Sequence, residues 1–236
     1  MRYKIAGVIF EINPKYAYAD LMLKKYKTDK PGDAVVIDVT DEDISSSVKL
    51  DPSLTKSYHE SLVLYRKICE YMSLHGFFMM HASVVSLDRL GYAFAAQSGT
   101  GKTTHSLLWR ECFGAKIING DKPLFTYDNG RFYAYGTPWC GKEYYNENRR
   151  VKMKAVCFLH RSKKNTIRRL SASEVISKIF DQVYLPQSTV GKERVLELLD
   201  KFITNLPFYS LGCDISREAA LLSMRTMTGK AESEEK

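Results

Sequence analysis

Residues 95–104 read A-A-Q-S-G-T-G-K-T-T, and this stretch decides the fold. It follows a short apolar run at 92–96, whose composition suits a buried strand, and it leads into a pattern at 103–112 that suits a helix. Strand, glycine-rich turn and helix in that order make a phosphate-binding loop, so the chain is expected to bind a nucleotide triphosphate. Each residue type has a task in that reading. Gly99 and Gly101 let the backbone turn its N–H groups inward around phosphate oxygens. Ser98, Thr100 and Thr104 complete the cradle, Lys102 adds a point charge over the β- and γ-phosphates, and Thr103 offers a hydroxyl to Mg²⁺. The positive end of the following helix faces the same anion. Position 96, where the usual pattern begins with glycine, is alanine, which is tolerable if its φ is negative.

The rest of the composition sets bounds. The chain has 236 residues, 44% hydrophobic and 12% aromatic, enough for a sizeable core in one large domain or two small ones. Its formal charge is 35 − 27 = +8, which suits phosphate-rich ligands or acidic partners; a basic solvated surface explains it more simply than nucleic-acid binding. Cys69, Cys112, Cys140, Cys157 and Cys213 are widely spaced, without C-x-x-C or paired Cys/His clusters of zinc type, which fits a reduced, cytoplasmic compartment. The opening M-R-Y-K-I-A-G-V-I-F-E-I carries charge every few residues, so no secretion signal is expected. No window reaches eighteen apolar residues, and no membrane partner is expected.

Along the chain, residues 3–12 and 34–39 read as strands of a small N-terminal β layer spanning 1–53, with an acidic stretch at 38–43. Leu62, Tyr65, Cys69 and Met72 stand at helical spacing in a helix over 54–74 that stops before Gly76. Residues 77–87 are β-rich, and a turn at 88–91 makes a hairpin with the strand that feeds the loop. A short strand at 117–118 follows the loop helix, and Asn129-Gly130 signals a second hairpin between 124–127 and 131–135. Residues 136–141 are loop and 151–159 strand, completing a nucleotide-binding core over 77–160. The basic run 161–169 reads as a solvated hairpin tip. A helical part over 161–228 carries helices at 172–180, at 194–205 with Val195, Leu198, Leu199 and Phe202 on one face, and near 217–227. The last residues, 229–236, are polar and expected to be disordered. No repeat or linker splits residues 1–228, so they are expected to form one domain.

Three further features carry chemistry. The run I-I-N-G-D-K-P at 117–123 is an apolar strand ending in Asp121, where a carboxylate is needed to hold Mg²⁺ or order a nucleophile. His81 lies in a β stretch fifteen residues before Ala96. The loop G-T-P-W-C-G-K at 136–142 joins a rigid proline, Trp139 and the flexible Lys142; it could cover the nucleotide or receive substrate, or be an ordinary proline turn with a packed tryptophan.

Together these residues resemble the kinase domain of HPr kinase/phosphorylase and the nucleotide-binding part of ATP-dependent phosphoenolpyruvate carboxykinase. The loop S-G-T-G-K-T-T at 98–104 is similar to the carboxykinase version, and H-A-S-V-V from His81 is similar to the histidine strand of the HPr kinase. The resemblance covers roughly residues 81–159. It implies an α/β fold of mixed-sheet type, with a phosphate-loop nucleotide-binding core and the small N-terminal β layer. Both families place two adjacent acids after the loop helix; here Asp121 remains, and either Gly120 or Lys122 stands where a second acid would be. The stretch N-E-N-R-R-V at 146–151 is similar to one carrying a phosphate-contacting arginine in the carboxykinase, which points to Arg150.

The resulting expectation is an ATP- and Mg²⁺-dependent phosphotransferase acting on a hydroxyl of a peptide, small protein or small molecule. Lys102 and the loop would hold ATP, and Thr103 and Asp121 would hold Mg²⁺. Asp121 or His81 would draw the proton, and Arg150 or Lys142 would neutralise the transferring phosphoryl. The alternative is an ATP-binding sensor or partner-binding module with reduced catalysis. A homo-oligomer stays open.

Overall fold

The structure, a computed structural model, describes residues 1–230. An N-terminal layer begins with the hairpin β1 (Arg2–Ile5) and β2 (Val8–Ile12), then α1 (Ala17–Leu23) and β3 (Val35–Ile37), which pairs parallel to β2. Two helices follow, α2 (Asp41–Leu50) and α3 (Lys56–Ser73). The layer expected to be β-structure is therefore half helical. The acidic stretch is the first turn of α2: Thr40 and Asp43 form a reciprocal capping box, and Asp41, Glu42 and Asp43 sit at the positive helix end. Tyr3, Phe10 and Tyr26 of this layer bury against Leu64, Ile68 and Met72 of α3, in a core that continues to Met79, Leu124 and Trp139.

The main sheet contains β4 (Phe77–Met79), β5 (Ala82–Leu87) and β6 (Leu90–Ala95), and α4 (Lys102–Phe113) leaves from β6. Next come β7 (Lys116–Asn119), β8 (Leu124–Asp128), β9 (Arg131–Tyr135), β10 (Arg150–Arg161) and β11 (Thr166–Arg169). The chain closes with α5 (Ala172–Ile179), α6 (Thr189–Asn205), β12 (Phe208–Cys213) and α7 (Arg217–Thr228). The strand order is β4-β8-β9-β10-β6-β5-β7; β12 also pairs with β10, and β11 with β12. β10 is parallel to β6 and β12 and antiparallel to β9, so the sheet is mixed.

The inner strands are apolar because they are covered on both sides. Along β6, Tyr92 and Phe94 face a core with Trp109 of α4 and Ala220 of α7, whereas Ala93 and Ala95 face one with Val175 of α5 and Phe202 of α6. Both expected hairpins form, β5–β6 across Asp88-Arg89 and β8–β9 across Asn129-Gly130, each turn with positive φ at both positions.

Three expectations change. β12 inserts between β10 and β11, so the basic run is the end of one strand and a separate edge strand rather than a hairpin tip. α6 starts at Thr189, five residues before its expected start at 194, because Ser188 caps it by accepting from Gly191 N at 3.2 Å. Gly229 ends α7 in the left-handed conformation, and Lys230 pairs with Asp88 at 2.6 Å; the rest of the expected disordered tail, 231–236, lies outside the described residues. No helix among the described residues is long and apolar enough to cross a membrane.

Candidate functional site at the glycine loop

The loop between β6 and α4 has the conformation its residues dictate. Gly99 and Gly101 have φ of +76° and +119°, values that side chains disfavour. Gly101 is the N-terminal cap of α4 and supplies no side chain to bond the first-turn N–H groups, so these donors are left for an external acceptor. Lys102 is buried, and its Nζ donates to Ala96 O at 3.0 Å, arching over the loop. Burial pushes the Lys102 ammonium below its ordinary pKa, with the nearby Asp121 carboxylate opposing that shift.

Opposite the loop, β7 ends in a turn built by Asn119. This fully buried side chain accepts from Asp121 N (2.9 Å) and Lys122 N (2.8 Å) through Oδ1 and donates to Thr137 O (3.0 Å) through Nδ2. Thr137 Oγ1 in turn donates to Lys122 O at 2.7 Å. The turn aims the Asp121 carboxylate at a histidine ring and an ammonium: His81 Nε2 lies 2.9 Å from Oδ1, and Lys122 Nζ lies 2.8 Å from Oδ2. Burial works to raise the Asp121 carboxyl, but the hydrogen bond from His81 and the charge of Lys122 outweigh it and hold the group well below the usual carboxylate range. His81 is placed by its backbone N–H, which donates to Gln182 O at 2.6 Å, and Asp121 O accepts from Ala82 N at 2.9 Å.

These groups share one cleft of about 830 Å³, lined by Ser98, Gly99, Gly101, Lys102, Thr103 and Thr104 on one side and by His81, Asp121 and Lys122 on another. Tyr18 from α1, Tyr58 and Tyr65 from α3, and Trp139 and Lys142 from the 136–142 loop complete the wall. Trp139 is a packed residue: buried, edge-on to Tyr65 with centroids 5.6 Å apart, its Nε1 donating to Ser61 O at 3.1 Å. A second cleft of about 570 Å³ shares Gly99, Gly101 and Thr104 with the first, adds Thr100, and extends between Leu108, Leu159 and Ile215.

Two sequence expectations do not survive this geometry. Arg150 is not brought to the loop: at the start of β10 it pairs with Asp128 (3.0 Å), accompanied by Tyr135 Oη (3.2 Å) and the face of Tyr133 (4.3 Å). The arginine that reaches the loop is Arg161, at the other end of the same strand, whose Nη2 donates to Gly99 O at 2.5 Å. Position 120 cannot hold the second acid either, because a Cβ there would stand 2.5 Å from Cys140 O. Gly120→Asp is therefore expected to destabilise the fold by about 1–3 kcal/mol or more through overpacking, read as a lower urea midpoint. An unchanged midpoint would mean that the backbone at Cys140 yields freely.

No protein-family model matches this chain, and a comparison with curated proteins finds no match. Among solved structures it is similar to the Hpr(Ser) kinase/phosphatase from Coxiella burnetii, with 13% sequence identity, covering 64% of this chain and 88% of that one, at a TM-score of 0.39. At that distance the reading of the site rests on the residues of this chain.

Sequence reasoning missed Asn119, Thr137, Lys122 and Arg161 as parts of the site. An Asn before Gly-Asp at a strand end is a recognisable turn former and could have been singled out. Nothing local marks Arg161 among its basic neighbours.

Proposed function

We propose that the chain is an ATP-dependent phosphotransferase of HPr kinase-like type that moves a phosphoryl group to a hydroxyl. The observation that carries this reading is the shared cleft, in which a glycine loop with its lysine faces a histidine–aspartate–lysine cluster. The loop amides, Lys102 and Arg161 would hold the phosphates, and the second cleft, apolar at Leu108, Leu159 and Ile215, would take the nucleoside. Thr103 and Asp121 offer Mg²⁺ one hydroxyl and one carboxylate. That set suits an ion which keeps its waters and takes further oxygens from substrate phosphates, and no cluster of three or more His, Cys, Asp or Glu stands among the described residues to suggest a protein-only cage. Bound there, Mg²⁺ would supply charge neutralisation on the phosphate oxygens.

Asp121 would order the acceptor hydroxyl and receive its proton, while His81 holds the carboxylate in position. The acceptor would lie against Tyr18 of the N-terminal layer and Tyr58 and Tyr65 of α3. One observation favours a second reading, an ATP-binding sensor: both Asp121 oxygens are already engaged, by His81 and by Lys122. Incubation with γ-labelled ATP and panels of peptides and hydroxylated metabolites separates the two. Label on an acceptor supports the phosphotransferase; tight ATP binding with no transfer across the panels supports the sensor.

A further inference from the structure

Lys122 is anchored far more firmly than a solvated lysine needs. Its backbone N–H is shared between Asn119 Oδ1 (2.8 Å) and Trp139 O (3.1 Å), and its carbonyl accepts from Thr137 Oγ1 (2.7 Å). All three partner residues are buried. The ammonium rests 2.8 Å from Asp121 Oδ2 and 5.6 Å from the centroid of the Tyr65 ring, which gives the side chain a cation–π brace as well as an ion pair. Its side chain is nonetheless 28% exposed, and what it is exposed to is the cleft that also holds Lys102. The Lys102 and Lys122 ammonium groups share the single nearby carboxylate of Asp121, so this part of the partly desolvated cleft keeps an excess of positive charge that a bound anion would offset. Neutralising Asp121 alone would require neither the doubly bonded backbone nor the aromatic brace.

We propose that Lys122 is a catalytic residue whose preorganised ammonium takes up the charge that builds on the equatorial oxygens of the γ-phosphoryl group during transfer. The inference rests on the phosphotransferase reading. In the step concerned, a bond forms between the acceptor oxygen and the γ-phosphorus, and the bond from that phosphorus to the β,γ-bridging oxygen breaks. The electron pair leaves with ADP, and the acceptor proton passes to Asp121. Lys122 thereby takes the neutralising role that the sequence suggested for Arg150 or Lys142; the fold engages Arg150 with Asp128.

The test needs no acceptor. ADP with Mg²⁺ is titrated calorimetrically into the full chain with and without aluminium fluoride, which completes a planar mimic of the transferring phosphoryl group. In the wild type the fluoride complex is expected to bind more tightly than ADP alone. Lys122→Met keeps most of the stem that packs on Tyr65 but removes the charge. It is expected to lose roughly tenfold or more of that increment, as for a hydrogen bond to a charged group, while its affinity for ADP alone stays within about threefold. Lys122→Arg, which keeps a cation, should recover part of the increment, and thermal melts establish that each variant is folded. An equal or absent increment in the wild type and Lys122→Met, with ADP binding intact, overturns the role of Lys122 alone. Failure of the wild type to bind ADP or ATP overturns the phosphotransferase reading together with it.

Discussion

Lys102→Ala is expected to remove most of the thermal stabilisation that ATP with Mg²⁺ confers on this chain. A ligand that binds only the folded state stabilises it by RT ln(1 + [L]/Kd), about 2.7 kcal/mol at a hundredfold excess over Kd. For a chain of this size that corresponds to a rise of roughly 5–10 °C in Tm. In the variant the first-turn N–H groups of α4 and the two positive-φ glycines remain, so the anion loses its point charge but keeps its cradle. The substitution also removes the tether from Lys102 Nζ to Ala96 O, so each protein is compared with its own ligand-free melt. Equal ATP affinities by calorimetry would mean that the loop is a glycine-rich turn without a nucleotide.

Asp121→Asn is expected to lower phosphoryl transfer by ~10²-fold or more, the scale associated with losing a general base or a charge that acts in the transition state. Nucleotide affinity should change far less. Asparagine keeps the size of the side chain, but the His81 ring and the Lys122 ammonium, 2.9 and 2.8 Å from the carboxylate oxygens, lose their anionic partner. His81→Ala is expected to act in the same direction through the same contact, because it leaves the carboxylate without its orienting donor. Since the two residues act as one unit, the double variant should cost much less than the product of the single effects. Labelled phosphate leaving ATP at the wild-type rate in Asp121→Asn would reduce Asp121 to a turn residue. Full multiplicativity of the two substitutions would show that the hydrogen bond between them has no part in transfer.

Much of the architecture was legible because its signals are local. The Asn129-Gly130 turn, the loop glycines at 99 and 101, and the apolar stripe of α3 act over four or five residues, and these elements formed where their patterns stood, while α6 kept its stripe but began at Thr189. α2 was not anticipated within residues read as a β layer, although its capping box is written in Thr40 and Asp43. β12 was missed for a different reason. Phe208–Cys213 carries no strict alternation, and it becomes a strand by pairing parallel to β10, far away in sequence, and antiparallel to β11.

At the candidate site the same division holds. The sequence by itself determined the strand–loop–helix unit around Lys102 and the presence of a carboxylate at the end of β7, because positive φ and turn chemistry depend on the identity of single residues. Only the tertiary structure decided which charges meet. β10 carries Arg150 at one end and Arg161 at the other; its pairing with β6 brings Arg161 to Gly99, and its pairing with β9 leaves Arg150 beside Asp128. Likewise the carbonyl of Cys140 closes position 120 to any side chain, and α3 brings Tyr65 under Lys122. Distances between side chains far apart in sequence follow from strand register and helix packing, and no local pattern encodes them.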